Sequence, residues 1–137
     1  MPEKDPAHWL YRLTPSEWLA AADNELYAAR TAFAQKAQRP AVAHARRAAG
    51  MAWNALLVCI PDEKYGRSYM EHLQALQKDD SVSADLRHAA EKLVAMPMTQ
   101  EIVTLGLRGN VSQADHAAAI IEHVRARVGS LVPSGQA

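Results

Sequence analysis

The chain has 137 residues, 49% of them hydrophobic, with fifteen Lys and Arg balanced by fifteen Asp and Glu and a pI near 7.0. A chain of this length buries one core, so a single domain is expected over 1–137, with its packed part at about 14–132 and a frayed tail at 133–137. Zero net charge excludes a global field that would gather phosphate backbones or acidic membrane surfaces, leaving nucleic-acid binding to a local patch.

The single cysteine, Cys59, lies in the apolar run Ala55-Leu56-Leu57-Val58-Cys59-Ile60 and is expected to be a buried structural thiol. The opening Met1-Pro2-Glu3-Lys4-Asp5-Pro6 is charged, and nowhere do ~18 apolar residues follow one another. The expectation is a cytoplasmic protein with no signal peptide and no membrane partner.

Abundant alanine, sparse glycine and short β-branched runs predict an all-α fold. Thr14-Pro15-Ser16-Glu17 announces the first helix: Thr14 caps, Pro15 sits where its missing N–H is harmless, and Glu17 completes a capping box. Leu13 and Trp18 take the staple positions, and Ala22, Leu26, Ala29 and Phe33 recur at helical spacing. This helix is expected from about Pro15 to Ala37. Pro40 opens a second helix with the face Ala41, Ala45, Ala48, Ala52, Ala55 and Leu56, ended by Pro61. A third helix is expected from near Ser68 to about Gln77, and a fourth from Ser81 or Ser83 to before Pro97. The last opens at Ser112 and carries Ala114, Ala117, Ile121, Val124, Val128 and Leu131 on one seam. Residues 97 to 111 read equally as one more turn of helix or as an extended loop. The elements predict an antiparallel four- to five-helix bundle.

Such bundles hold several chemistries that spacing can exclude. None of the eight glutamates has a histidine three residues on, so a di-iron carboxylate site is not expected. The His-Glu-x-x-His zinc spacing is missing, and His116 with His123 lacks a third ligand, so no metal is expected. No glycine-rich phosphate loop occurs, and no cofactor is expected.

Three stretches share an order of features with a known family. These are Trp18, Ala21, Tyr27 and Ala29; the run Ala43-His44-Ala45-Arg46-Arg47-Ala48-Ala49-Gly50-Met51-Ala52-Trp53-Asn54-Ala55-Leu56-Leu57; and His72-Leu73 with Leu76, followed by Leu86-Arg87-His88-Ala89-Ala90. Over about residues 14 to 131 the chain resembles the HEPN-domain proteins. The resemblance implies a helical bundle, often a homodimer, whose members act as ribonucleases, toxin or antitoxin partners, or inactive interaction modules. Gly50 and Trp53-Asn54 stand where the nucleotide-binding branch commonly has a glutamate and a lysine, and no Arg-Tyr-Pro-like loop follows helix four. Nucleotide binding in that branch's manner is not expected.

The ribonuclease branch carries an arginine, a polar residue and a histidine four to six residues after the arginine. Arg67, Ser68 and His72 match that pattern. Arg39 and His44 are a second such pair, with Pro40 unsuited to the second position. Residues five apart inside a helix point about 140° away from one another. At a capped start with Ser68 as N-cap, however, Arg67 and His72 take the two staple positions and can meet. The arginine would then stabilise a phosphate's developing charge while the histidine served as base toward a ribose 2′-hydroxyl. A structural alternative is equally coherent: Ser68 caps the helix and Glu71 pairs with Arg67. On helix two, His44, Arg47 and Asn54 share part of a face that suits an anion, beside Arg46. Trp18 and Trp53 read as core or dimer anchors.

Two functions follow from these residues. The first is a non-enzymatic HEPN-like module that forms a homodimer or binds a protein partner, with an apolar surplus around Trp53 favouring the dimer. The second is a metal-independent endoribonuclease, toxin-like, that acts on RNA through Arg67 and His72.

Overall fold

The computed structural model describes residues 9–95 and 113–131. The ambiguous stretch 97 to 111, Ser112 as a cap, and the tail at 133–137 lie outside those residues. Before the bundle, a 3₁₀ turn at Trp9–Arg12 brings the Leu10 carbonyl to the Trp18 indole, whose Nε1–H donates to it at 2.8 Å. Trp18 is thereby buried with its one polar atom satisfied.

Helix α1 spans Pro15–Ala34. Thr14 Oγ1 accepts from the Glu17 amide at 3.1 Å and Glu17 Oε1 accepts from the Thr14 amide at 2.9 Å, the two legs of the expected capping box. The helix stops three residues short of the expected Ala37, because Lys36 takes the left-handed conformation at φ 61. The Ala37 amide then reaches back to the Ala32 carbonyl at 2.8 Å and the Lys36 amide to Phe33 at 3.0 Å. These bonds form a Schellman closure with lysine where glycine is usual.

Helix α2 spans Gln38–Cys59 and packs against every other helix of the bundle. Its expected face, from Ala41 through Leu56, is buried throughout. The small side chains let neighbouring axes come close. A three-residue break, Ile60 to Asp62, contains Pro61, and a 3₁₀ turn at Glu63–Tyr65 then leads to α3 at Tyr69–Leu76. Ser68 Oγ accepts from the Glu71 amide at 3.1 Å, whereas the Glu71 carboxylate lies over Gly66 rather than reaching back to the cap. Gly66 has φ 69, so a side chain there would meet both backbone strain and Glu71.

Helix α4 spans Ala84–Ala95, and Ser83 is its cap, its Oγ accepting from the Leu86 amide at 3.2 Å. Ser81 instead serves the preceding turn, where it donates to Asp79. Helix α5 spans Gln113–Leu131. Two surface ion pairs show that it runs antiparallel to α1: Arg125 with Asp23 at 2.8 Å and Arg30 with Asp115 at 3.0 Å.

Three expectations need correction. Cys59 is half-buried rather than buried, because it is the last residue of α2, where the helix leaves the core. Leu131, the last residue of α5, is exposed although it continues the seam. Trp53 supplies no apolar surplus at the surface: it is 2% exposed and lies between the rings of Tyr65 and His123. The described residues are all-α, and none of their helices is long and apolar enough to cross a membrane.

Candidate functional site

His72 is the fourth residue of α3, the inward staple position after a Ser68 cap. It is 1% exposed. Its Nδ1 lies 2.6 Å from the Tyr65 carbonyl oxygen and its Nε2 lies 2.7 Å from Oδ1 of Asn54, a residue fully buried in α2. A neutral imidazole has one N–H and one lone pair. With Nδ1–H donating to the Tyr65 carbonyl, Nε2 is left as an acceptor, and a neutral ring bonds to Asn54 when the amide presents its NH₂ in place of Oδ1. The Trp9 indole stacks on the imidazole at 6.5 Å and 14°.

Arg67 is exposed. Of the two residues matched to the ribonuclease pattern, Arg67 thus faces solvent and His72 does not. The backbone that precedes Ser68 carries Arg67 outward, while the staple position that follows carries His72 into the core, where α2 and the Glu63–Tyr65 turn consume both ring nitrogens.

The helix-two cluster is divided three ways. Arg46 crosses to the end of α4, its Nε donating to the Leu93 carbonyl at 2.7 Å and its Nη2 to Val94 at 3.2 Å, which satisfies last-turn acceptors. Asn54 belongs to His72. His44 and Arg47 remain together, because both reach Glu25 of α1: His44 Nδ1 at 2.5 Å from Oε2, and Arg47 Nη1 at 3.3 Å from Oε1. The supposed anion groove thus already holds a carboxylate of the same chain, and Asn54 is no part of it.

Tyr69, the first residue of α3, packs against α2 at Gly50. It packs so tightly on Gly50 that a Cβ at residue 50 would lie 2.3 Å from Tyr69 Cβ. Burial pushes the Tyr69 phenol up from its ordinary value, Arg47 pulls it down and Glu25 pushes it up, so the phenol senses both charges. Glu25 and Tyr69 escaped the sequence analysis as site residues.

A second polar cluster sits below α3. Asp79 is buried and accepts from the Tyr65 hydroxyl, from Ser81 Oγ at 2.6 Å and its amide at 3.0 Å, and from Lys64 Nζ at 3.2 Å. Burial opposes its ionisation. The bonds from Ser81, Tyr65 and Lys64 outweigh that and hold the carboxyl well below the usual range. With every partner supplied by adjacent turns, this cluster fastens the α2–α3 connection.

The remaining histidines separate. His116 meets His88 of α4 edge-on at 5.9 Å, whereas His123 stacks on Trp53 at 6.2 Å. Among the described residues no group of three or more His, Cys, Asp or Glu is placed to hold a metal ion. No family model matches the chain, and no curated protein or solved structure matches it.

Proposed function

We propose that this chain is a cytoplasmic, non-enzymatic helical module of HEPN-like type that acts by forming a homodimer or by holding a protein partner. The observation that supports this most is the burial of His72 between Tyr65 and Asn54. A base must come within about 3 Å of the hydroxyl it deprotonates. An RNA 2′-hydroxyl would reach this imidazole only after α3 left α2, breaking both bonds of the ring. A ribonuclease acting through Arg67 and His72 would need that rearrangement, whereas an interaction module needs none.

A surface for association is available on α1. Tyr27 is 75% exposed, and Ala20, Asn24, Thr31 and Ala34 lie on the same outer face at spacings of three and four residues. Large exposed aromatics are enriched among the residues that anchor interfaces.

The test has two parts. Wild-type protein and Arg67→Ala are incubated with a mixed single-stranded RNA pool, and light scattering follows the mass of wild type and Tyr27→Ser at tens of micromolar. The expected results are no cleavage above Arg67→Ala and a dimer mass that falls in Tyr27→Ser. Cleavage by wild type but not by Arg67→Ala would return the ribonuclease function.

A further inference from the structure

We propose that the outer face of α1 binds a second copy of this chain, the two α1 helices running antiparallel about a two-fold axis at Tyr27. The inference rests on the interaction-module function proposed above and commits it to one occupant of one face. That face is nearly palindromic in side-chain size. Ala20 lies seven residues before Tyr27 and Ala34 seven after, while Asn24 lies three before and Thr31 four after. All are exposed along the helix at Pro15–Ala34. A two-fold contact needs this property, because each part of the surface must meet its own symmetry mate.

With Tyr27 on the axis, residues at equal steps before and after it stand level in the two copies. Ala20 then faces the partner's Ala34, and the same contact recurs at the other end. Small side chains at both ends let the helix axes come close. At the centre the two Tyr27 rings, each 75% exposed in the single chain, meet and pack in an offset arrangement.

The charges select this orientation. Between Glu17 and Lys36, Asp23 pairs with Arg125, Arg30 with Asp115, and Glu25 with His44 and Arg47, all within the chain. Glu17 and Lys36 themselves make no ion pair among the described residues, and both are exposed. Glu17 lies ten residues before Tyr27 and Lys36 nine after. Antiparallel helices therefore bring Glu17 of one copy to within a residue's step of the partner's Lys36, and symmetry repeats the pair. Parallel helices would set Lys36 against Lys36 and Glu17 against Glu17, where like charges oppose association. An unrelated partner would have to match both the spacing and the signs, whereas a second copy matches them by symmetry.

Cross-linking of full-length protein reads the orientation. Ala20→Cys and Ala34→Cys are made separately in a Cys59→Ala background, which removes the native thiol. Each is treated with a short bis-maleimide, alone and as an equal mixture left to exchange. In the antiparallel pair, two copies of the same variant hold their thiols about 21 Å apart along the helices, beyond the reagent, whereas the mixture sets the two new thiols level. The expected result is covalent dimer from the mixture and little from either variant alone. Sedimentation equilibrium at low salt should show about tenfold weaker association in Lys36→Glu, because two exposed pairs turn repulsive at once. Adding Glu17→Gln, whose amide oxygen can still accept the capping bond, should bring the double variant to within about threefold of wild type. Covalent dimer from the single variants as abundant as from the mixture overturns the antiparallel arrangement. A dimer mass in wild type with no cross-linking in the mixture, or with Lys36→Glu associating as tightly, overturns this face and leaves a homodimer formed elsewhere. A monomer mass in wild type overturns the second copy altogether and leaves only the protein-partner form of the proposed function.

Discussion

Replacing Gly50 by alanine should destabilise the protein, although the same exchange in an ordinary helix stabilises it. Gly50 lies in the middle of α2, where glycine costs about 1 kcal/mol relative to alanine. The added Cβ would lie 2.3 Å from Tyr69 Cβ and 2.6 Å from Tyr69 Cγ and Cδ1. The nearest of these atoms is fixed to the α3 backbone, so relief requires α3 to move rather than a side chain to turn. Overpacking of this kind costs ~3 kcal/mol at the upper end of its usual range, which leaves a net loss of about 2 kcal/mol after the propensity gain. Gly129 is the control: it is exposed on α5, and a Cβ there meets nothing within 4 Å. Gly129→Ala should therefore gain up to ~1 kcal/mol. Urea unfolding of both variants with wild type measures the difference. A Gly50→Ala midpoint at or above that of wild type would refute the close approach of Tyr69 to α2.

Lys36→Gly should stabilise by about 0.5–1 kcal/mol, because the left-handed conformation at φ 61 strains a lysine and not a glycine; thermal unfolding with no upward shift would count against that α1 ending. Asp79 has its carboxyl pKa depressed, so its contribution is complete above the ordinary value of 3.8 and is lost as pH falls through the lower folded value. Asp79→Asn should cost ~2 kcal/mol at pH 7 and flatten the decline in stability below about pH 4, read from urea midpoints at stepped pH. His116 is lowered by burial, and then by His88 and Lys92, from an ordinary 6.5. Its contribution is complete above that value and falls away with acid, so His116→Gln should lose less stability than wild type between pH 7 and 5.

The helix boundaries were legible wherever a side chain enforces them. Thr14 and Glu17 close a reciprocal box, Ser68 and Ser83 accept from their helices, and Pro61 follows the end of α2. The end of α1 was not legible, since it depends on a lysine in a conformation that no lysine advertises. The alanine face of α2 was legible because burial follows the helical period. Asn54 was not, because a lone amide in an apolar run acquires its meaning only from the histidine that folds against it. Glu25 left a signal that could have been used. It precedes Lys36 by eleven residues and Arg47 follows Lys36 by eleven, the symmetry that sets two residues opposite one another in a helical hairpin. For His72 the burial was legible from its place four residues into a capped helix, on the side that packs on the bundle, whereas the partners that hold its ring, Tyr65 and Asn54, were not.

Urea unfolding of His72→Ala against Arg67→Ala tests the central claim most directly. If His72 holds α3 to α2, its removal leaves the Tyr65 carbonyl and the Asn54 amide without their partner and opens a cavity beside Trp9, a loss of at least ~3 kcal/mol. Arg67→Ala, altering an exposed side chain, should stay within ~0.5 kcal/mol of wild type. A His72→Ala protein as stable as wild type would contradict the account, because a ring buried on Tyr65 and Asn54 cannot be removed without cost.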